Sequence, residues 1–303
     1  MGNVDLFGNE VIEKTELKNE FLIPPFSIFD TAGGDWQNRK RKWSTLGMKS
    51  ELGRENMGGS TFQHLAKDNL AESTSKIAAV GKTASIFDPV LCEVLYSWFV
   101  KKEGTILDPF AGGSVRGIVS NYLGYNYTGI ELRKEQVEAN REQAVDIIPD
   151  HKPNWICGDS NQIIDRFTSK TEKFDFVFSC PPYYDLEVYC DDPSDLSNMD
   201  YLDFNYTYRS IIKKACNHLK DNRYACFVVG NCRDKNGFMM DLVGETIRAF
   251  EEAGLRFYND IVLRNCVGSA SLRASTSMTY KKVVKVHQNV LVFVKGKPEE
   301  IEI

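Results

Sequence analysis

The segment Ile106-Leu-Asp-Pro-Phe-Ala-Gly-Gly-Ser-Val115 constrains the fold more than any other part of the chain. A short apolar strand runs into a glycine pair and then into a helix. A turn without Cβ atoms lets backbone approach a nucleotide-like ligand at the carboxyl edge of a parallel sheet.

The rest of the chain from residue 87 keeps the same rhythm. Apolar positions at helical spacing predict helices over 87–100, 115–123, 133–147, 203–219 and 239–253, the last ending at Gly254. Strands are expected at 105–108, 127–131, 155–157, 174–179, 224–229, 255–263 and 290–294. The stretch 174–179 is apolar on both faces, as a central parallel strand should be. Alternation of this kind implies an α/β fold, a doubly wound Rossmann-like sheet, mostly parallel with an antiparallel C-terminal strand. The domain is drawn over 81–303. Residues 1–80 are irregular, with corners at Pro24-Pro25 and Gly33-Gly34, and read as an N-terminal extension that wraps the main unit.

Composition narrows the class. A hydrophobic fraction of 42% over 303 residues supports one large core, and no apolar run is long enough to span a bilayer. The first residues lack the basic and apolar regions of a secretory leader. The eight cysteines show no C-x-x-C pair and the four histidines are scattered, so no metal site and no disulfide framework is expected. A reducing cytoplasm fits these features. A net charge of −5 argues against indiscriminate coating of nucleic acid. Two basic stretches nevertheless exist. Arg39-Lys-Arg-Lys42 lies between Trp36 and Trp43, and residues 256–287 carry six Arg/Lys against one acid.

Two familiar nucleotide loops are excluded. The glycines at 112 and 113 lack G-x-G-x-x-G spacing, and Lys76 stands where a phosphate loop ending in Gly81-Lys-Thr83 needs glycine. More informative is Glu131, which ends the strand after the turn. A carboxylate there can accept both hydroxyls of a ribose.

Asp108-Pro-Phe-Ala-Gly-Gly-Ser114 resembles the first motif of class I methyltransferases, in the form found in DNA amino-methyltransferases. The resemblance implies S-adenosylmethionine as cofactor. Asp108 would face its ammonium, with Phe110, Gly112, Gly113 and Ser114 along the methionine, Glu131 at the ribose, and Asp159 and Ser160 at the adenine. Upstream, Lys82-Thr-Ala-Ser-Ile-Phe-Asp-Pro89 resembles the segment that closes this pocket, which adds Lys82 and Ala84.

Phe178-Ser-Cys-Pro-Pro-Tyr-Tyr184 is similar to the [DNS]-P-P-[YFW] signature of the same family. Its chemistry is specific. An exocyclic amine has its lone pair delocalised into the ring, and N–H bonds to a side chain and to the first proline's carbonyl favour a tetrahedral, nucleophilic nitrogen. The aromatic residue stacks on the extruded base. Cys180, Pro181, Pro182 and Tyr183 take these catalytic places, with Tyr184 in support. Cys180 departs from the pattern: a thiol is a weak acceptor, so activation falls to the Pro181 carbonyl or to Ser179. A cysteine nucleophile for C5 methylation fits poorly, because such enzymes carry Pro-Cys rather than Cys-Pro-Pro. The acidic, aromatic stretch 185–199 is expected over the target pocket.

Nearly the whole chain resembles phage- and prophage-encoded site-specific DNA methyltransferases, including Ile23-Pro-Pro-Phe-Ser-Ile-Phe-Asp30, Lys49-Ser-Glu-Leu-Gly-Arg54 and His287-Gln-Asn-Val-Leu-Val-Phe-Val-Lys295. The resemblance implies methylation of adenine N6 or cytosine N4 in double-stranded DNA, protecting it from restriction. Self-association into a homodimer is left open. Arg39, Arg41, Arg264 and Arg273 are candidates for DNA contacts. Trp36 and Trp43, at i, i+7, suit the core face of one helix equally well. The small, polar residues 268–277 read as mobile. Two other classes stay open: an RNA or protein N-methyltransferase, and a non-catalytic module that binds cofactor and DNA.

Overall fold

The computed structural model describes residues 20–48, 87–167, 173–184, 189–265 and 270–302. The chain enters through β1 (Ile28–Asp30) and α1 (Gly34–Ser44), then α2 (Pro89–Phe99). The alternating body follows: β2 (Thr105–Asp108), α3 (Val115–Tyr122), β3 (Asn126–Glu131), α4 (Lys134–Ile147), β4 (Asn154–Cys157), α5 (Ser160–Phe167) and β5 (Phe174–Ser179). Next come α6 (Tyr201–His218), β6 (Leu219–Val229), a hairpin of β7 (Cys232–Arg233) and β8 (Met239–Met240), and α7 (Leu242–Glu252). The last elements are β9 (Arg256–Arg264), α8 (Ala270–Thr279) and β10 (His287–Lys295).

Eight strands form one sheet in the order β1-β9-β10-β6-β5-β2-β3-β4. Strand β10 runs antiparallel to both β6 and β9, and every other pairing is parallel. The fold is therefore the doubly wound, Rossmann-like sheet with an antiparallel C-terminal strand. Strand β5 is buried at every position because helices cover both its faces. One face carries Trp36, Trp43, Leu95, Tyr96, Ile118 and Val137 from α1 to α4. The other carries Ile164, Phe204, Tyr208, Ile212 and Phe250 from α5 to α7.

Residues 28–44 belong to this sheet and core. Strand β1 extends the sheet beside β9, and α1 docks on α2 through its two tryptophans. Trp36 Nε1 donates to Asp88 Oδ2 at 3.1 Å, and Trp43 Nε1 to Glu93 Oε2 at 3.0 Å. Asp88 also caps α2, accepting from the Val90 amide at 3.0 Å. The segment from Ala270 to Thr279 is a helix, where its small, polar composition had suggested a mobile stretch. Its alanine and serines carry no β-branched run, and the helix packs Ala270 inward.

Among the described residues, no helix is long and apolar enough to cross a membrane, and no group of His, Cys, Asp and Glu is arranged to hold a metal. None of the described cysteines forms a disulfide; Cys92, Cys216 and Cys226 are buried, and burial pushes Cys216 up to about 12.

Candidate active site

The sheet order reverses between β2 and β5, so the chain leaves these strands in opposite directions and opens a crevice at their carboxyl ends. A cavity of about 660 Å³ occupies it, a volume suited to a nucleoside-sized ligand. Residues from both sequence motifs line it: Phe110, Gly112, Gly113, Ser114, Glu131, Asp159 and Ser160 from one, and Cys180, Pro181, Pro182 and Tyr183 from the other.

On the turn side, Gly112 has φ +51°, a conformation that side chains rarely adopt. Its amide donates to Glu131 Oε2 at 2.9 Å, and the Arg133 amide donates to Oε1, also at 2.9 Å. Glu131 is thereby held at the cavity wall by both oxygens. Asn140 Nδ2 donates to the Gly112 carbonyl at 2.8 Å, which fixes the turn from α4. Asp159 accepts from the Asn161 amide at 2.8 Å. Ser114 and Ser160 are committed within the protein: Ser114 Oγ donates to Gln143 Oε1 and Ser160 Oγ to the Pro109 carbonyl, each at 2.5 Å. Lys82 and Ala84 lie outside the described residues, as do 49–54. Phe87, in the described end of the 82–89 segment, borders the cavity with the Arg116 guanidinium 4.6 Å from its ring centre.

Asp108 is placed differently from the expectation. Its carboxylate is buried beneath the turn and does not line the cavity. Oδ2 accepts from Arg116 Nε at 2.6 Å and from the Tyr127 hydroxyl at 2.7 Å. Oδ1 accepts from Ser179 Oγ at 2.5 Å and from the Phe110 amide at 3.2 Å. Arg116 Nη2 continues to the carbonyls of Phe110 and Ala111, at 2.6 and 2.9 Å. Burial works to lower the Arg116 pKa, but the adjoining Asp108 carboxylate outweighs it and the guanidinium stays charged. Burial and then Asp108 push the Tyr127 phenol far up. Asp108 is thus a buried ionic knot that ties β2, β3, α3 and β5 together at the root of both motifs. Ser179, fully buried in the same knot, also accepts from the Phe110 amide at 3.1 Å and does not line the cavity. The sequence offered no sign that Arg116, at the start of α3, folds back onto Asp108.

On the target side, Pro181 is buried and Cys180 half-buried, with Cys180 Sγ 3.8 Å from the Tyr183 hydroxyl. Gln288 Nε2, from β10, donates to the Tyr183 hydroxyl at 2.6 Å, and that hydroxyl lies 3.4 Å from the Val228 carbonyl. Burial keeps the phenol protonated well above its usual range. Tyr184, at φ +56°, turns away onto Tyr201 and Phe204, both ring centres at 5.4 Å, and does not line the cavity. Of the acidic stretch expected over the pocket, Tyr189, Cys190, Ser194, Asp195 and Leu196 border the cavity, while 185–188 lie outside the described residues. Asp195 organises this segment by accepting from the amides of Cys190 and Ser197, at 2.9 Å each.

Candidates for DNA contacts separate by position. Arg39 pairs with Glu93 of α2 at 2.7 Å, and Arg41, exposed on α1, bonds Asn38 at 2.6 Å. Lys40, which was not singled out, borders the cavity and pairs with Asp88 at 2.9 Å. Arg264 pairs with Asp30 at 3.0 Å across the β1–β9 edge, and Arg273 is exposed on α8.

No protein-family profile and no curated protein matches the chain. Solved structures of similar fold do exist. TrmN from Thermus thermophilus is 14% identical, with 69% of this chain and 49% of that chain covered and a TM-score of 0.46. A methyltransferase from Pyrococcus furiosus is 15% identical over 70% of this chain and 84% of that one, with a TM-score of 0.46. The magnesium protoporphyrin IX methyltransferase ChlM from Synechocystis, solved with S-adenosylmethionine bound, is 10% identical over 78% and 93%, with a TM-score of 0.42. The chain spans about half the length of the Thermus protein. Likeness at this level concerns the fold, and function has to be argued from the site.

Proposed function

We propose that this chain is an S-adenosylmethionine-dependent methyltransferase acting on an exocyclic amine, adenine N6 or cytosine N4, of a base extruded from double-stranded DNA. One observation supports it above the rest: the glycine turn with Glu131 and the Cys180-Pro-Pro-Tyr183 corner, distant in sequence, line one cavity. The residues fit the cofactor. Gly112 leaves room for close backbone approach, Glu131 presents a carboxylate at the cavity wall for the ribose, Asp159 stands one strand further for the adenine, and Phe110 lines the cavity with an apolar ring. When bound, S-adenosylmethionine supplies a sulfonium methyl for in-line displacement by the target nitrogen.

The chain's own residues prepare that nitrogen. The Pro181 carbonyl accepts one amine N–H and the Cys180 thiol, a weak acceptor, takes the second place. Hydrogen bonds to both N–H groups draw the lone pair out of the ring. Tyr183 stacks on the base, and its hydroxyl is anchored by Gln288 so that the ring holds its angle. Asp108 and Arg116 act as positioning residues that hold turn and corner in register.

The test is transfer of labelled methyl to unmethylated duplex DNA, with Tyr183→Ala as control and nucleoside mass spectrometry as readout. Label in N6-methyladenine or N4-methylcytosine, lost in the variant, is the expected result. Cofactor binding with label only on RNA or protein would replace the substrate. The weak acceptor at Cys180 favours one second reading, a non-catalytic module; cofactor binding without transfer, with turnover restored by Cys180→Ser or Cys180→Asp, would establish it.

A further inference from the structure

Two excursions leave the sheet at the edge that carries the cavity. One is the β7–β8 hairpin, which follows β6, and the other is the α8 segment between β9 and β10. They adjoin one another and the target corner. Lys285 Nζ lies 3.3 Å from the Asn231 carbonyl, and a Cβ placed on Gly230 would sit 3.1 Å from that ammonium and 3.7 Å from the Tyr183 ring. Further out, the Lys282 side chain runs against Gly237 in the hairpin turn.

The hairpin turn is tightly built. Gly237 has φ +88°, and its amide donates to the Asp234 carbonyl at 2.9 Å. The Phe238 amide donates to Asp234 Oδ1 at 2.8 Å, and Arg233 Nη1 to the Gly237 carbonyl at 2.8 Å. What this turn presents is Phe238, 72% exposed, followed by Met239, 52% exposed. An apolar partner that covered this ring and the neighbouring thioether would gain their burial. The surrounding charge says which kind. Although the whole chain carries −5, residues 270–286 contain Arg273, Lys281, Lys282 and Lys285 and no acid, and the hairpin adds Arg233 and Lys235 against Asp234.

We propose that the hairpin and the α8 segment form one duplex-DNA surface, with Phe238 as a wedge that unstacks the target base and Lys285 as a phosphate contact beside Tyr183. The inference rests on the reading of the chain as a DNA methyltransferase and assigns the device that delivers the base. A phenyl wedge inserted at a base step lowers the cost of extrusion, while the lysines hold the backbone on either side. Burial lowers the Lys285 pKa, and a phosphate placed beside it would favour the charged ammonium again.

The test compares native and heat-denatured DNA. Phe238→Ala should reduce methyl transfer to the duplex by roughly ten- to hundredfold and leave transfer to single strands within about twofold, because single strands need no unstacking. Lys285→Met should weaken binding to both forms and reduce the salt dependence of binding by about one counterion. Calorimetry of S-adenosylmethionine binding should be unchanged in both variants. Equal loss on duplex and single strand in Phe238→Ala, or no loss on either, overturns the wedge while the methyltransferase reading stands. Wild-type protein that binds cofactor yet transfers methyl to neither form of DNA overturns the underlying reading, and the surface with it.

Discussion

Glu131 holds two backbone amides, from Gly112 and Arg133, and so does two things at once: it shapes the turn and points carboxylate oxygens into the cavity. Glu131→Ala should weaken S-adenosylmethionine binding by roughly 10- to 150-fold, the loss of charge-assisted hydrogen bonds worth about 1.5–3 kcal/mol. Isothermal calorimetry checks this; an unchanged affinity would remove Glu131 from the cofactor site. Cys180→Ala should leave cofactor affinity unaltered and lower kcat by less than about tenfold, because a thiol contributes little as an acceptor. A larger drop would assign Cys180 more of the activation than the Pro181 carbonyl. At this scale the sequence exposed the residues whose chemistry needs a fixed backbone: Gly112, Glu131, Asp159, Pro181 and Tyr183 all border the cavity. It did not expose where Asp108 and Ser179 point. Asp108 turns inward to meet Arg116 and Tyr127, and Ser179 turns inward to donate to Asp108; these partners come from other elements.

Helix α1 shows how an element acquires its role from its neighbour. Taken alone, a basic stretch between two tryptophans suits DNA as well as it suits a core. Docked on α2, both indole N–H groups and Arg39 find carboxylates, and the tryptophan rings join the core. Glu93→Ala removes the acceptor for Trp43 and Arg39 together and should cost about 1.5–3 kcal/mol, measured as a shift in the urea midpoint. Arg39→Ala should likewise lower stability, less steeply, and leave DNA affinity unaltered; selective loss of DNA binding would return Arg39 to the nucleic-acid surface. Strands were legible nearly to the residue where burial is two-sided, as in β2 and β5. Helix α8 was not, since serine and threonine runs carry little periodicity, and strand β1 was missed because three residues are too few to show any.

Across the whole molecule, the edge of the sheet opposite the cavity is pinned by Asp175. Its buried carboxylate accepts from the Thr105 amide at 3.1 Å and pairs with Lys220 at 3.0 Å, Arg223 at 3.2 Å and Lys101 at 3.3 Å. Burial alone would raise its pKa, but the Thr105 amide and hydroxyl and the Lys220 ammonium together hold it well below the usual carboxylate range. A depressed folded pKa means that the stabilisation is fully present above the ordinary carboxylate range and is lost as the pH falls through the lowered value. Asp175→Asn should therefore destabilise the protein at neutral pH by about 3 kcal/mol, the low end for breaking a buried pair because two of the cations are partly solvated. It should also flatten the acid limb of a stability–pH curve; a variant with the wild-type slope would contradict the assignment. The sequence by itself determined the layered fold and the backbone of the site, because hydrophobic period, glycine turns and proline corners are local properties. Only the tertiary structure decided which carboxylates face the cavity, that residues 28–30 extend the sheet while 34–44 join its core, and that the hairpin bearing Phe238 leaves the sheet beside Tyr183. Each of those depends on a partner brought from a distant strand or helix, and burial of a charge or exposure of a ring has no meaning until that partner is in place.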